Sequence, residues 1–424
     1  MPAPLGLNVS LPNWPAIGNQ IPVAVMFTLH IVIAEFSLGA ITLAVGMETI
    51  GLRTGNEWHM RYARAIANAY YLVFSLGATF AVFAVTAIIG LWGATWGVLL
   101  NRFFLLFAIA FGLFLILLPL LVLYRNSFGK MAPRRHAMLG WAVWFWQTAF
   151  MVLIVELDAY LIDPAHSGIL GGMANPPYVP LLLHRLVGNV SWTALFLAGF
   201  AVLRMARRTD LRERAFQSWA ARLNLRIGLA TAIAMPLLGF ALMEVLRTSV
   251  PGYFDNLVRG DASYLFVIQA AALGVLFVSA NLALAGEVVR ERRAGLFSRV
   301  CVGVAVIGFT VGMLPGAVLN GGTFWIRYAG IGIGLLVTVA HLLARSAPLH
   351  PAPVYQPAPG AYAVLPYSTS SVARRALVVC GLVAVSLSLY MGVMKEEARG
   401  AYVINGELTQ QDAHGQWNPQ GIYP

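Results

Sequence analysis

Charge is scarce in this 424-residue chain, where 11% of residues are Asp, Glu, Lys or Arg and 59% are apolar. Soluble domains carry about a quarter charged residues, and a water-facing surface cannot be built from so few. That excludes a soluble enzyme and a disordered chain. Cysteine is nearly missing: Cys301 and Cys380 each sit inside an apolar stretch, so there is neither a disulfide framework nor a CxxCH site for covalent haem attachment. No Walker loop, GxSxG elbow, HExxH or paired CxxC occurs, and no repeat of fixed short period. Long hydrophobic runs are what the chain has instead, and its mean hydropathy is +0.74.

An apolar run of about 20 residues crosses a bilayer as a helix. Ten such runs are present, at roughly 21–50, 65–92, 101–124, 137–161, 180–203, 223–246, 263–286, 299–319, 323–344 and 375–394. None alternates as a barrel strand does. The expected fold is therefore all-α, a polytopic membrane bundle of about ten helices. The opening MPAPLGLNVSLPNW has no basic region before an apolar core, so the first span is expected to be a membrane helix and not a cleavable signal. The bundle is expected to occupy 1–394 and an outer polar tail 395–424. The Pro- and Ala-rich stretch 346–372 reads as an extended cytoplasmic linker.

The net charge of +11 resembles a nucleic-acid signal until its placement is read. Of 28 basic residues, 21 fall in the odd-numbered connections, from Arg53, Arg61 and Arg64 to Arg345, Arg374 and Arg375. Cytoplasmic loops of membrane proteins carry this excess. Both termini are thus expected on the outer, periplasmic side of a bacterial inner membrane, and no nucleic-acid partner is implied.

An ionisable group inside a membrane costs at least about 2.5 kcal/mol and is a site candidate by default. Five of the eight histidines fall in connections or tails (His59, His136, His166, His350 and His414) and read as solvated. His30 lies about ten residues into the first span, roughly 15 Å from its outer end at 1.5 Å per residue. His184 lies near the outer end of the fifth span and is followed by Arg185. A histidine ligating iron beside an arginine that meets a propionate is a sensible haem arrangement. His341, at the inner end of the ninth span, reads as a side chain that snorkels to the interface. Glu35, Glu156, Asp158 and Glu244, all in outer halves of their spans, are the candidates for redox-linked proton groups. For Asp158 and Glu244 the alternative is a helix-end carboxylate meeting interfacial water.

The first span, MFTLHIVIAEFSLGAITLAVGMETIGLRTG, resembles the first helix of cytochrome bd quinol oxidase subunit I. The fifth, LLHRLVGNVSWTALFLAGFAVLRMARR, is similar to that family's second haem-ligand helix, and the AYLIDP ending of the fourth fits the same pattern. The resemblance covers about the first 245 residues. It implies that His30 is the axial ligand of one haem of the oxygen-reducing pair, and that His184 is one axial ligand of the low-spin b haem that takes electrons from quinol.

The chain departs from the family in a consistent direction. The family's oxygen-site Glu residues in the second and third helices have no counterpart in GATFAVFAVTAIIGLWGATWG or FFLLFAIAFGLFLILLPLL. The long quinol loop after the sixth helix is reduced to TSVPGYFDNLVRGDAS, and the Gly-Arg-Gln-Pro-Trp stretch is absent. The methionine that completes the low-spin haem is missing from YLFVIQAAALGVLFVSANLAL. Met243 and Met313 are the substitutes considered, with Met235 lying deeper. The family usually has nine spans.

Three readings follow. The first is a haem b-binding subunit, with one or two haems, of a respiratory complex. It would pass electrons between the quinone pool and an outer-side partner such as a cytochrome c or another redox subunit, docked on Tyr402, Trp417 and Tyr423 of the tail. The second is a cytochrome bd-type quinol:oxygen oxidoreductase subunit I whose oxygen-site acids come from elsewhere, including a second subunit. The third is a haem-free membrane anchor or transporter scaffold, although Pro119, Pro236 and Pro315 make no pair of breaks in corresponding halves.

Overall fold

The computed structural model describes residues 19–168, 171–289, 295–314, 325–345 and 367–418. Each of the ten apolar runs contains a helix: α1 (Gln20–Thr54), α2 (Glu57–Leu91), α3 (Gly93–Asn126), α4 (Pro133–Ile162), α5 (Tyr178–Ala206) and α6 (Leu211–Ser249). After a short α7 (Pro251–Val258), which hydropathy does not mark, come α8 (Ser263–Ala285), α9 (Leu296–Gly312), α10 (Trp325–Arg345) and α11 (Ser371–Ala398). Among the described residues nine of these helices are long and apolar enough to cross a membrane, and α9 is a shorter apolar helix. The end of the eighth run, 315–319, the start of the ninth, 323–324, and 346–366 of the Pro- and Ala-rich stretch lie outside the described residues.

Local chemistry sets where the helices start and stop. The Asn56 side chain accepts a hydrogen bond from the Trp58 amide at 2.9 Å, Asp210 caps α6 through the Glu213 amide at 3.0 Å, and Ser370 caps α11 through that of Ala373 at 3.1 Å. Each satisfies an amide that the first turn leaves unpaired. Gly55 ends α1 at φ 67°, a left-handed backbone open to glycine. The chain order sorts helix ends into two sets. An arginine-rich end gathers Thr54, Glu57, Asn126, Pro133, Ala206 and Leu211, and the opposite end gathers Leu91, Gly93, Ile162, Tyr178, Ser249 and Ala398.

α5 is the hub, packing against α1, α4, α6 and α11. A Cβ on Gly39 would stand 2.3 Å from the Asn189 carbonyl oxygen, and one on Gly199 would stand 2.8 Å from that of Leu377. Glycine is thus what lets α1 and α11 approach α5 so closely, as small residues do where helices pack in lipid. The main apolar core includes Ile41 of α1, Leu195 of α5, Trp219 of α6 and Phe277 of α8. α11 packs on both α5 and α8, so the last helix is interior to the bundle's organisation.

Two small sheets close the ends. β1 (Glu287–Val289) pairs antiparallel with β2 (Tyr367–Thr369), so the last residues of the expected linker are a strand and α11 begins at Ser371. β3 (Tyr402–Ile404) pairs with β4 (Leu408–Thr409). The tail expected from 395 onward is therefore no free arm. α11 runs through Lys395 to Ala398, and Asn405 of the hairpin donates its backbone amide to Leu161 O at 3.1 Å and its side-chain amide to Ile162 O at 3.0 Å. Val403 and Ile404 bury against Leu99, Phe103 and Tyr160. Tyr402 and Trp417 remain exposed, and Tyr423 lies outside the described residues.

Polar groups near the arginine-rich end are buried, which corrects the solvated reading of two histidines. His136, in the first turn of α4, is 3% exposed and sets Nδ1 2.5 Å from Glu48 Oε1 of α1. The Tyr124 hydroxyl of α3 donates to the other Glu48 oxygen at 2.8 Å. His59 is buried edge-on against Trp219, with ring centroids 5.2 Å apart. His341 does not snorkel: it is fully buried, with Nδ1 2.9 Å from Asn281 Oδ1 of α8. Arg226 of α6 grips Glu287 with both terminal nitrogens, at 3.2 and 3.1 Å.

Glu48→Ala removes the partner of both Tyr124 and His136 from a buried position. Breaking such a set typically costs about 3–5 kcal/mol, so a marked drop in thermal midpoint is expected in detergent. Glu244→Gln, on the exposed surface, is expected to leave the midpoint unchanged under the same fluorescence melt.

Candidate functional site

The expected site residues gather toward the end opposite the arginines, on α1, α4 and α5. His30 and His184 both lie on that side of the α1–α5 crossing at Gly39. They face different neighbours. The His30 ring reaches the backbone of Gly77 on α2, while His184 Cε1 would lie 3.7 Å from a Cβ placed on Gly239 of α6. Each imidazole has a buried Nδ1 without a protein hydrogen-bond partner.

Around them stands a cluster of charges. Arg185 Nη2 lies 2.6 Å from Asp158 Oδ2, and Lys395 Nζ of α11 lies 2.5 Å from Asp158 Oδ1. The Ser388 hydroxyl of α11 donates to Glu35 Oε2 at 2.6 Å, and the charges of Arg185, Asp158 and Lys395 all act on Glu35. Four helices thus contribute to one group of two acids and two bases. Arg185, expected at a propionate, is engaged by Asp158. Lys395 and Ser388 were missed by reading the sequence: Lys395 heads a polar KEEAR stretch that looks like tail, and a lone serine in an apolar span carries no signal.

Glu156 stands apart from this cluster. It is 0% exposed, and neither carboxylate oxygen has a hydrogen-bond partner. Its Cγ packs where a Cβ on Gly172 would stand, at 2.4 Å, so the short 3-10 turn Gly172–Ala174 closes over it. Glu244 is not brought to the site, pairing instead with Arg247 on the exposed face of α6 at 2.5 Å. The methionines also separate. Met243 and Met235 sit one turn to either side of Gly239 on α6, Met235 touching the position of a Gly188 Cβ at 3.1 Å. Met243 packs on the apolar cluster of Tyr178, Leu181 and Leu246. Met313 caps α9 against Gly274 of α8, 3.3 Å from a Cβ placed there. Among the described residues no three His, Cys, Asp or Glu side chains assemble as a metal-holding group.

α7 replaces the long loop that the resemblance would place after α6. Its Tyr253 and Leu257 are buried, and Asn256 donates to the Ala398 carbonyl at 3.0 Å, so this segment clamps the end of α11.

Membrane-length helices, isolated imidazoles within the spans and a buried ion cluster define a multi-pass integral membrane protein with its polar chemistry near one end. A sequence model of the family described as cytochrome bd terminal oxidase subunit I matches residues 20–252. That is more than half of the chain, and the protein belongs to this family of membrane oxidase subunits. The match spans α1 to α6 and stops within α7. Among solved structures, a chain of the bd oxidase from Geobacillus thermodenitrificans superposes with a TM-score of 0.52 at 13% identity, covering 90% of this chain and 97% of that one. The likeness is one of fold. No curated protein sequence matches.

Glu156→Met removes a buried carboxylate that has no partner, and such a group costs about 1–3 kcal/mol to leave unsatisfied. The thermal midpoint is expected to rise. Asp158→Leu, in contrast, leaves Arg185 and Lys395 facing each other without their anion and is expected to lose roughly 3–5 kcal/mol. The pair of melts separates a carboxylate held for its chemistry from one held for its contacts.

Proposed function

We propose that this chain is a haem b-binding integral subunit of a bacterial inner-membrane oxidoreductase complex. It would move electrons between the quinone pool and an outer-side redox partner, a cytochrome c or another redox subunit. The observation that carries the reading is the pair of membrane imidazoles, His30 and His184, each with a buried ring nitrogen that no protein group satisfies. Hydrocarbon offers such a nitrogen nothing, so a histidine there is expected to hold a ligand. Membership of the cytochrome bd subunit I family supports haem as that ligand.

Haem iron supplies one-electron chemistry when bound, and the residues of this chain determine what surrounds it. His184 would hold the group, with Met243 or Met313 as a further ligand; Met243 is favoured because it lies on α6, the helix that His184 faces. His30 would hold a second haem. The acids divide by their partners. Asp158, gripped at both oxygens by cations, stays an anion and sets local charge. Glu156, with no partner, and Glu35, with one hydroxyl, are the groups free to exchange a proton with a redox change. Glu244 is withdrawn from this role by its exposed pairing with Arg247. The exposed Tyr402 and Trp417 are the proposed contact for the outer-side partner, and the arginine placement orients that end outward.

A second reading, a quinol:oxygen oxidoreductase subunit I, is favoured by the family match itself. Its difficulty is proton delivery. α3 contains no Asp or Glu, and α2 has only Glu57 at its first residue, whereas oxygen reduction consumes protons at its site.

A reduced-minus-oxidised spectrum of the purified chain, with a haem extract and an oxygen electrode on quinol, tests both. The expected result is a b-type band, no oxygen uptake, and loss of that band in His184→Ala. A chlorin-type band with uptake would establish the second reading. A chain without any haem would leave only the scaffold.

A further inference from the structure

Asp158 has a partner outside the family-matched segment. Lys395 stands in the last turn of α11, past residue 252 where the match ends, and its Nζ sits 2.5 Å from Asp158 Oδ1. Arg185 holds the other carboxylate oxygen at 2.6 Å. The side chains are largely enclosed, Asp158 and Arg185 each 17% exposed and Lys395 16%. Glu35 stands beside them, its Oε2 accepting from Ser388 of the same α11, and Arg399 and Glu396 add one charge of each sign around Lys395. Removing the lysine charge makes the cluster one unit more negative.

The position of that balance matters because Arg185 follows His184 directly, and its charge acts on the His184 ring. In a membrane interior, charge a few ångströms away is screened far less than in water. A net anionic cluster beside an electron acceptor disfavours the reduced state, and a neutral or cationic one favours it.

We infer that Lys395 is a positioning residue for the haem that His184 would hold: by sharing Asp158 with Arg185 it offsets that fixed anion and raises the potential at which the haem is reduced. The inference rests on the haem reading above. It also gives α11 a role, since the helix that packs on α5 and α8 delivers this charge to the turn that carries His184.

Spectroscopic redox titration of the purified full-length chain tests it, on wild type, Lys395→Met, Lys395→Arg and Asp158→Asn. Lys395→Met is expected to lower the midpoint of the b-type band, Lys395→Arg to restore it, and Asp158→Asn to raise it. A Lys395→Met chain that keeps the band and titrates at the wild-type midpoint overturns the inference. So do charge removals of opposite sign that shift the midpoint the same way. Should Lys395→Met fail to fold, the sign of the Asp158→Asn shift decides, a fall or no change overturning it. A wild-type chain without a haem band is a failure of the haem reading itself, visible before any variant is made, and the inference falls with it.

Discussion

Hydrocarbon provides no hydrogen-bond partner, and that constraint organises this protein. A polar side chain within the spans bonds its own helix, as Thr42 does to the Leu38 carbonyl, finds its partner on another helix, or meets a ligand. Glu48 finds His136 and Tyr124, and Asn281 finds His341 and Thr338, the latter at 2.8 Å. Asp158 finds Arg185 and Lys395. Each of these links ties helices far apart in the chain, so polar pairing and apolar packing specify the same neighbours. Buried polar atoms that escape the rule include His30 Nδ1, His184 Nδ1 and both Glu156 carboxylate oxygens, and also His59 Nδ1, His341 Nε2 and Trp219 Nε1.

The two ends of the bundle solve the constraint differently. Near the arginine-rich end, charges are locked into structure: Arg226 on Glu287, His136 on Glu48. Near the opposite end the charged cluster lies beside histidines with unsatisfied nitrogens, and an unpartnered acid is closed off by a glycine turn.

What the sequence made legible follows from which signals are local. Hydropathy marked all ten apolar helices, because a span is a contiguous run. Arginine placement sorted the helix ends. The first and fifth spans carried enough residues in register to mark the family, and Glu35, Glu156 and Asp158 were visible as acids in apolar runs. Pairing is not local. His136 and His59 looked like connection residues because they lie next to arginines, yet the helices begin before them and carry them inward. Lys395 sat in what reads as tail until α11 was seen to run four residues past 394. Glu244 and Asp158 were indistinguishable in sequence. One meets an arginine three residues along its own helix, the other two cations from two other helices. α7 escaped because eight residues make no membrane signal.

α3 has no carboxylate, and those buried near His30 and His184 stand on α1 and α4. An acid fit for proton exchange must exist in both protonation states at modest cost. Asp158 does not meet that condition, since protonating it would strand two cations in a medium that cannot solvate them. Glu156 meets it most readily, having no cation to abandon. Glu35 is intermediate, held by one hydroxyl within reach of the cluster's charges. The same partner count that makes Asp158 a fixed charge therefore leaves proton traffic to its neighbours. In the proposed reading, fixed charge and exchangeable proton are carried by different residues, which lets the potential beside His184 be set without titrating the group that sets it.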